Sequence, residues 1–231
     1  MTLIRTTIFA AAVALAATAA QAETRSFPAT GFDRIGSSGP WDVSIATGKA
    51  ASVRAEGATE DLDHMRIEVK DGRLEIGSKR GWSWKSWKRT GKVRVWVTMP
   101  SLRAVGLAGS GDVRVDRANA KAFKGSIAGS GNLSIGSLTT DSADFSIAGS
   151  GDISAAGKCS SADVSIAGSG SVAISGLLCQ TLSASIAGSG DILAHATKTA
   201  SISTVGSGDV TVTGGAKCSV KKAGSGGAHC S

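Results

Sequence analysis

Ser126-Ile127-Ala128-Gly129-Ser130-Gly131 returns as Ser146 to Gly151, Ser165 to Gly170 and Ser185 to Gly190, unchanged each time. The shorter triplet Gly-Ser-Gly recurs with its serine at 110, 130, 150, 169, 189, 207 and 225, a period of 18 to 20 residues. Self-similarity at such a period marks a repeat architecture, in which one unit cannot bury its own apolar face and must stack on the next.

Around each triplet the apolar residues alternate with small polar ones. Three positions before the serine stand Leu107, Ile127, Ile147, Ile166 and Ile186. Three after it stand Val113, Leu133, Ile153, Val172, Ile192 and Val210, and five after it Val115, Ile135, Ala155, Ile174, Ala194 and Val212. Period two is the strand signature, and no 3.6-residue period runs through these units. Each coil therefore offers two short strands meeting at a Gly-Ser-Gly bend, where glycine permits a tight corner. The fold expected is all-β: a parallel β-helix-like solenoid of 18–20-residue coils, with inward isoleucines and valines stacked about 4.8 Å apart.

Residues 23–100 are β-patterned but not repetitive. Alternation over Trp41–Ala46, Ala51–Ala55, Met65–Val69 and Arg73–Ile76 predicts strands, with Lys70-Asp71-Gly72 as a hairpin turn. Thr59–His64 reads as a helical turn capped by Thr59. Val93–Thr98 is a further strand with its valines inward and Arg94 and Trp96 outward. This half is expected to cap one end of a single domain, 23–231, whose repeats occupy 101–231.

Residues 1–22 have the layout of a secretory signal peptide. One charge, Arg5, precedes the apolar run Ile8–Ala19, and Ala20-Gln21-Ala22 supplies a small-x-small cleavage site. The apolar run is shorter than the ~20 residues that a spanning helix needs. Cleavage after Ala22 would release a chain starting at Glu23 into the periplasm or medium.

Charge is concentrated in one place. Seven basic residues and no acid lie between Lys79 and Arg94; the rest of the chain from Glu23 has 17 basic and 18 acidic residues. The stretch Lys79–Lys92 also carries Trp82, Trp84 and Trp87. Indole rings beside Lys85, Lys88 and Arg89 suit an anionic glycan, a lipid headgroup or an anionic envelope protein. Nucleic acid uses the same residue types but is not an expected partner of an exported protein. The alternative is a long hairpin whose tryptophans pack back on the domain while the basic groups are solvated.

Phe32-Asp33-Arg34-Ile35 followed by Gly39-Pro40-Trp41-Asp42-Val43 resembles the opening of the head GIN domain family, the auto-transporter adhesins. Val93–Thr98 leading into Met99-Pro100-Ser101-Leu102 and Gly109-Ser110-Gly111-Asp112 resembles its middle. The resemblance spans roughly Phe32 to Val212. It implies a β-helical exported domain and supplies no catalytic residues.

Cys159 and Cys179 each lie ten residues before a triplet serine, so stacking brings them within disulfide reach; Cys218 and Cys230 flank the last triplet. Disulfides 159–179 and 218–230 are expected, as suits an oxidising compartment. Zinc is not, because the chain lacks Cys-x-x-Cys and a second ligand pair at metal spacing. Two residues after each triplet serine stand Asp112, Asn132, Asp152, Ser171, Asp191 and Asp209. Their simplest role is to complete turns, with calcium the sharper alternative. The repeated serine lacks the context of a nucleophile elbow, and His64, His195 and His229 are scattered surface or capping residues. No catalytic residue, metal or cofactor is expected. The favoured reading is a non-enzymatic envelope binding or adhesion module. A purely structural solenoid and a polysaccharide-active β-helix enzyme stay open.

Overall fold

A computed structural model describes residues 22–79 and 92–231. The expected signal peptide, apart from Ala22, and the tryptophan-rich stretch 80–91 lie outside the described residues. The described chain is nearly all β. Four strands precede the helical turn and its hairpin: β1 (Glu23–Phe27), β2 (Arg34–Ser38), β3 (Asp42–Thr47) and β4 (Ser52–Gly57). After α1 (Thr59–Asp63) come β5 (Met65–Lys70), β6 (Arg73–Ser78), β7 (Arg94–Met99), β8 (Ala104–Gly109) and β9 (Val113–Val115). The repeats form the long strands β10 (Ala118–Gly129), β11 (Leu133–Gly149), β12 (Ile153–Gly168), β13 (Val172–Gly188) and β14 (Ile192–Gly206). The last coil is β15 (Val210–Thr213), β16 (Lys217–Ala223) and β17 (Ala228–Cys230).

From β8 onward each coil stacks in parallel register on the one before. Ser126-Ile127-Ala128-Gly129 lies against Ser146-Ile147-Ala148-Gly149, which lies against Ser165-Ile166-Ala167-Gly168. The three inward ladders read from the sequence are all buried, from Leu107 to Ile186, Val113 to Val210 and Val115 to Val212. Strand β11 shows why the coil closes. Its burial alternates except at Gly136-Ser137 and Asp141-Ser142, where two consecutive residues face solvent. Each such pair shifts the parity and turns the chain, so the coil has three sides rather than two. The extra side is lined in successive coils by Leu138 and Thr140, by Cys159, and by Leu177 and Cys179. Its inward residues vary from coil to coil, which hides it from a search for repeats.

The third corner is Gly-Ser-Gly. Gly129, Gly149, Gly168 and Gly188 have φ of 135–138°, a region closed to most side chains. Ser150 and Gly151 both donate backbone N–H to the Gly129 carbonyl, at 2.9 and 3.1 Å, and the neighbouring coils repeat the pattern. Corner thus sits on corner with no room for a Cβ between them.

The region 23–100, irregular in sequence, continues the same stack. Strand β2 lies between β6 and β8, and β3 lies between β7 and β9, all parallel. Val95, Val43, Val113 and Leu133 form one continuous inward ladder. The coil β2–β3 is therefore wedged between two coils that follow it in the chain. Two antiparallel additions finish this end: β5 beside β6, and β4 beside β7 with β1 outermost. The predicted hairpin turn is present, with Asp71 and Gly72 at φ of 50° and 70°. The helical turn starts one residue earlier than predicted. Ala58 is its N-cap, Leu62 N–H donates to the Ala58 carbonyl, and Thr59 is the first helical residue rather than the cap.

Both expected disulfides are formed, Cys159–Cys179 between stacked coils and Cys218–Cys230 across the last one. In the chain-entropy model each contributes about 3 kcal/mol.

Candidate functional site

The acidic ladder resolves into hydrogen bonds between coils. The residue after each Gly-Ser-Gly has a backbone N–H that faces the side chain of the coil beneath. Asn132 N–H donates to Asp112 Oδ1 (3.2 Å), Asp152 N–H to Asn132 Oδ1 (3.2 Å) and Ser171 N–H to Asp152 Oδ1 (2.9 Å). Ser171 carries neither carboxylate nor amide, and the series restarts with Asp209 N–H on Asp191 (2.9 Å) and Gly227 N–H on Asp209 (2.6 Å). These side chains satisfy corner amides that would otherwise lack acceptors. Among the described residues no group of three or more His, Cys, Asp or Glu is placed to hold a metal ion.

The histidines stand apart from one another. His64 is the C-cap of α1, His195 Nδ1 lies 3.2 Å from Thr213 Oγ1, and His229 is exposed on β17.

The outer surface of the described residues carries two grooves among others. One, of about 540 Å³, runs along the serine and alanine stripe of Ser126, Ser146 and Ser165 and ends at the Arg73–Glu75 ion pair (2.8 Å). The other, of about 640 Å³, is chemically richer. Five strands line it, β4, β7, β3, β9 and β11, and the outward residues of the first four line up across the sheet. Arg54 is opposite Trp96, Trp96 opposite Ser44, and Ser44 opposite Arg114. Inward residues of the same strands, Val53, Val95, Val97, Val43, Val113 and Val115, are buried, so the pleat obliges their neighbours to face out.

The Arg54 guanidinium lies over the Trp96 ring, 4.9 Å from its centroid, a cation–π contact. On the β3 side the next residue is Ser44, whose short side chain leaves open space between Trp96 and Arg114. Arg114 is largely exposed, and its nearest carboxylate, Asp112, is 4.0 Å away, at the limit of an ion pair. No described carboxylate lies within ion-pair distance of Arg54. At the groove edge Asp116 Oδ1 accepts the N–H groups of Thr47 and Arg117. Thr98 donates to the Ala50 carbonyl (2.6 Å), so in its 2.8 Å contact with Ser52 it accepts, leaving Ser52 Oγ lone pairs facing solvent.

The contact residues predicted from sequence, Trp82, Trp84, Lys85, Trp87, Lys88 and Arg89, fall within 80–91, outside the described residues. Their flanks are placed. Lys79 N–H bonds to the His64 carbonyl, and the Val93 carbonyl accepts the Asp42 N–H. In the chain the stretch joins β6 to β7. Sequence reasoning identified Trp96 as outward. It missed the groove, because Arg54, Trp96 and Arg114 are far apart in the chain and share no motif.

No curated protein matches this chain at a significant level. Solved structures do match its fold. A structure described as a putative adhesin from Bacteroides fragilis superimposes with a TM-score of 0.83 at 23% identity, covering 92% of this chain and 98% of that one. A putative lipid binding protein from Parabacteroides distasonis gives 0.74 at 23% identity, covering 91% and 96%. A putative adhesin from Parabacteroides merdae gives 0.72 at 20% identity, again covering 91% and 96%. At these identities the likeness is one of fold. The family model described as "Putative auto-transporter adhesin, head GIN domain" matches residues 31–216. Chain order, corner repeats and that match agree, and the chain belongs to the head GIN domain family.

Proposed function

We propose that this chain is an exported, non-enzymatic binding module of the cell envelope that holds an anionic component. The observation that carries the reading is the outward rank Arg54, Trp96, Ser44 and Arg114, in which one guanidinium lies over an aromatic ring and a second stands two strands away on the same open sheet face. The basic stretch leading into β7 adds to it. Trp82, Trp84, Lys85, Trp87, Lys88 and Arg89 are the proposed contact residues there, because the chain outside Lys79–Arg94 is near neutral. A secretory signal at 1–22, with release at Glu23, accounts for two disulfides in so small a protein. Acidic glycans and anionic lipid headgroups share the required chemistry, and a structural relative described as a lipid binding protein is compatible with either.

Binding of the chain from Glu23 to polygalacturonate and to phosphatidylglycerol vesicles, measured across ionic strength, tests the proposal. Binding to at least one is expected, weakening as salt rises. The triple variant Lys85→Ser, Lys88→Ser, Arg89→Ser should fold normally and bind more weakly, with the largest loss at low salt. Absence of binding to both probes would overturn the proposal. Unchanged binding by the folded variant at low salt would remove the basic stretch from it.

A further inference from the structure

We infer that the groove between Trp96 and Arg114 is a subsite for an acidic carbohydrate, a carboxylate-bearing sugar chain lying across β7, β3 and β9. This rests on the reading of the protein as a binder of anionic components and names the class of ligand.

The first argument is the aromatic wall. Trp96 is held on one side by Arg54, which fixes the ring without consuming an anion-binding group elsewhere. Beside it Ser44 forms a low floor. A flat ring next to a small polar floor suits the C–H face of a pyranose, with the indole as the apolar body of the contact.

The second is the spacing of charge. The backbones of Arg54 and Arg114 lie three strand steps apart, roughly 14 Å at the usual inter-strand distance, and the Arg54 guanidinium leans over Trp96. The rank is of a length that a short oligosaccharide spans. Among the described residues Arg114 has only the long Asp112 ion-pair contact, so its guanidinium fork is available for a bidentate carboxylate.

The third is the polar rim. Ser44, Ser52, Thr98 and Ser134 line the groove. The Ser52 lone pairs and the second oxygen of Asp116 can accept sugar hydroxyls, and Ser44 and Ser134 can donate or accept. A phosphate-bearing lipid needs few acceptors of this kind. It also needs apolar residues to enter the acyl region. The exposed large apolar residues among those described are Val69, Leu178, Leu193, Val205 and Val220, and none of them lines this groove. The volume, about 640 Å³, falls within the ordinary range of ligand sites.

The test compares polygalacturonate, neutral dextran and phosphatidylglycerol vesicles as probes for the chain from Glu23. The variants are Arg114→Ser, Arg54→Ser and Trp96→Ala, each checked for fold by circular dichroism. Arg114→Ser changes an exposed side chain and guards against a Trp96→Ala variant that fails to fold. Polygalacturonate should bind, dextran should bind far more weakly, and Arg114→Ser should weaken polygalacturonate about tenfold, as loss of a hydrogen bond to a charged group does. Vesicle binding, if present, should be unaffected by Arg114→Ser. Polygalacturonate binding by the folded Arg114→Ser and Arg54→Ser variants that is unchanged from the parent would overturn the subsite. Binding to vesicles alone would overturn it while leaving the anionic-component reading intact, and binding to neither probe would overturn both.

Discussion

Replacing Gly149 by alanine should unfold the solenoid locally and lower its stability by about 3–5 kcal/mol. Gly149 has φ of 138°, and an added Cβ would stand 2.3 Å from the Gly129 carbonyl oxygen and 3.1 Å from both Gly129 C and N. All three atoms are backbone, so no rotamer change relieves the clash. The substituted residue faces a conformational penalty of about 1–3 kcal/mol. Moving the coils apart also weakens two hydrogen bonds on the Gly129 carbonyl, from Ser150 and Gly151, each contributing about 1 kcal/mol. Because a coil's stability depends on its neighbours, the damage reaches the coils on both sides. Ser150→Ala is the matched control: Ser150 is exposed, and its loss should change stability by no more than about 0.5 kcal/mol. Urea unfolding of the disulfide-intact chain, followed by circular dichroism, measures both. A Gly149→Ala protein within about 0.5 kcal/mol of the parent, at the same denaturant dependence, would refute the claim that corners stack without room for a Cβ.

Reducing the disulfides should also be costly. Cys159→Ala/Cys179→Ala is expected to lose about 3 kcal/mol and Cys218→Ala/Cys230→Ala about as much, and a melting temperature unmoved by either pair would contradict the entropic account. Asp152→Ala removes the acceptor for Ser171 N–H and should destabilise by about 1–2 kcal/mol. Calcium or a chelator should leave the melting temperature of the parent unchanged; a rise with calcium would show that the Asp ladder does more than cap amides.

Much of the fold was legible because its repeats are nearly identical where geometry is strictest. Ser-Ile-Ala-Gly-Ser-Gly survives unchanged because Ile127, Ile147, Ile166 and Ile186 stack directly and the corner glycines tolerate no substituent. Shared register likewise gave the Cys159–Cys179 disulfide, and the position of Cys218 and Cys230 on either side of the last triplet gave the other. The third side of the coil was not legible, since Leu138, Cys159 and Leu177 present no common motif. Nor was the position of β2–β3 between later coils, because parallel pairing leaves no local signal in either strand. The groove escaped for the same reason. Arg54, Trp96 and Arg114 become neighbours only when β4, β7, β3 and β9 lie side by side, and each alone is an ordinary outward residue of a strand.

The wedged coil has a consequence for how the chain becomes structured. Strands β2 and β3 hydrogen-bond on both sides to partners that come later: Arg34 to Arg73 and Ala104, Val43 to Val95 and Val113. A chain threaded N-terminus first delivers β2 and β3 before any of their neighbours exist. Their first partners arrive with β6 and β7, their second only when β8 and β9 have emerged, and the loop closures involved are long. Everything after β9 meets the opposite situation, for each new strand lands on a finished coil and can zip on at once. The seam between β3 and β9 is thus where assembly is slowest, and the repeats that make the protein recognisable are the part that needs the least time to form.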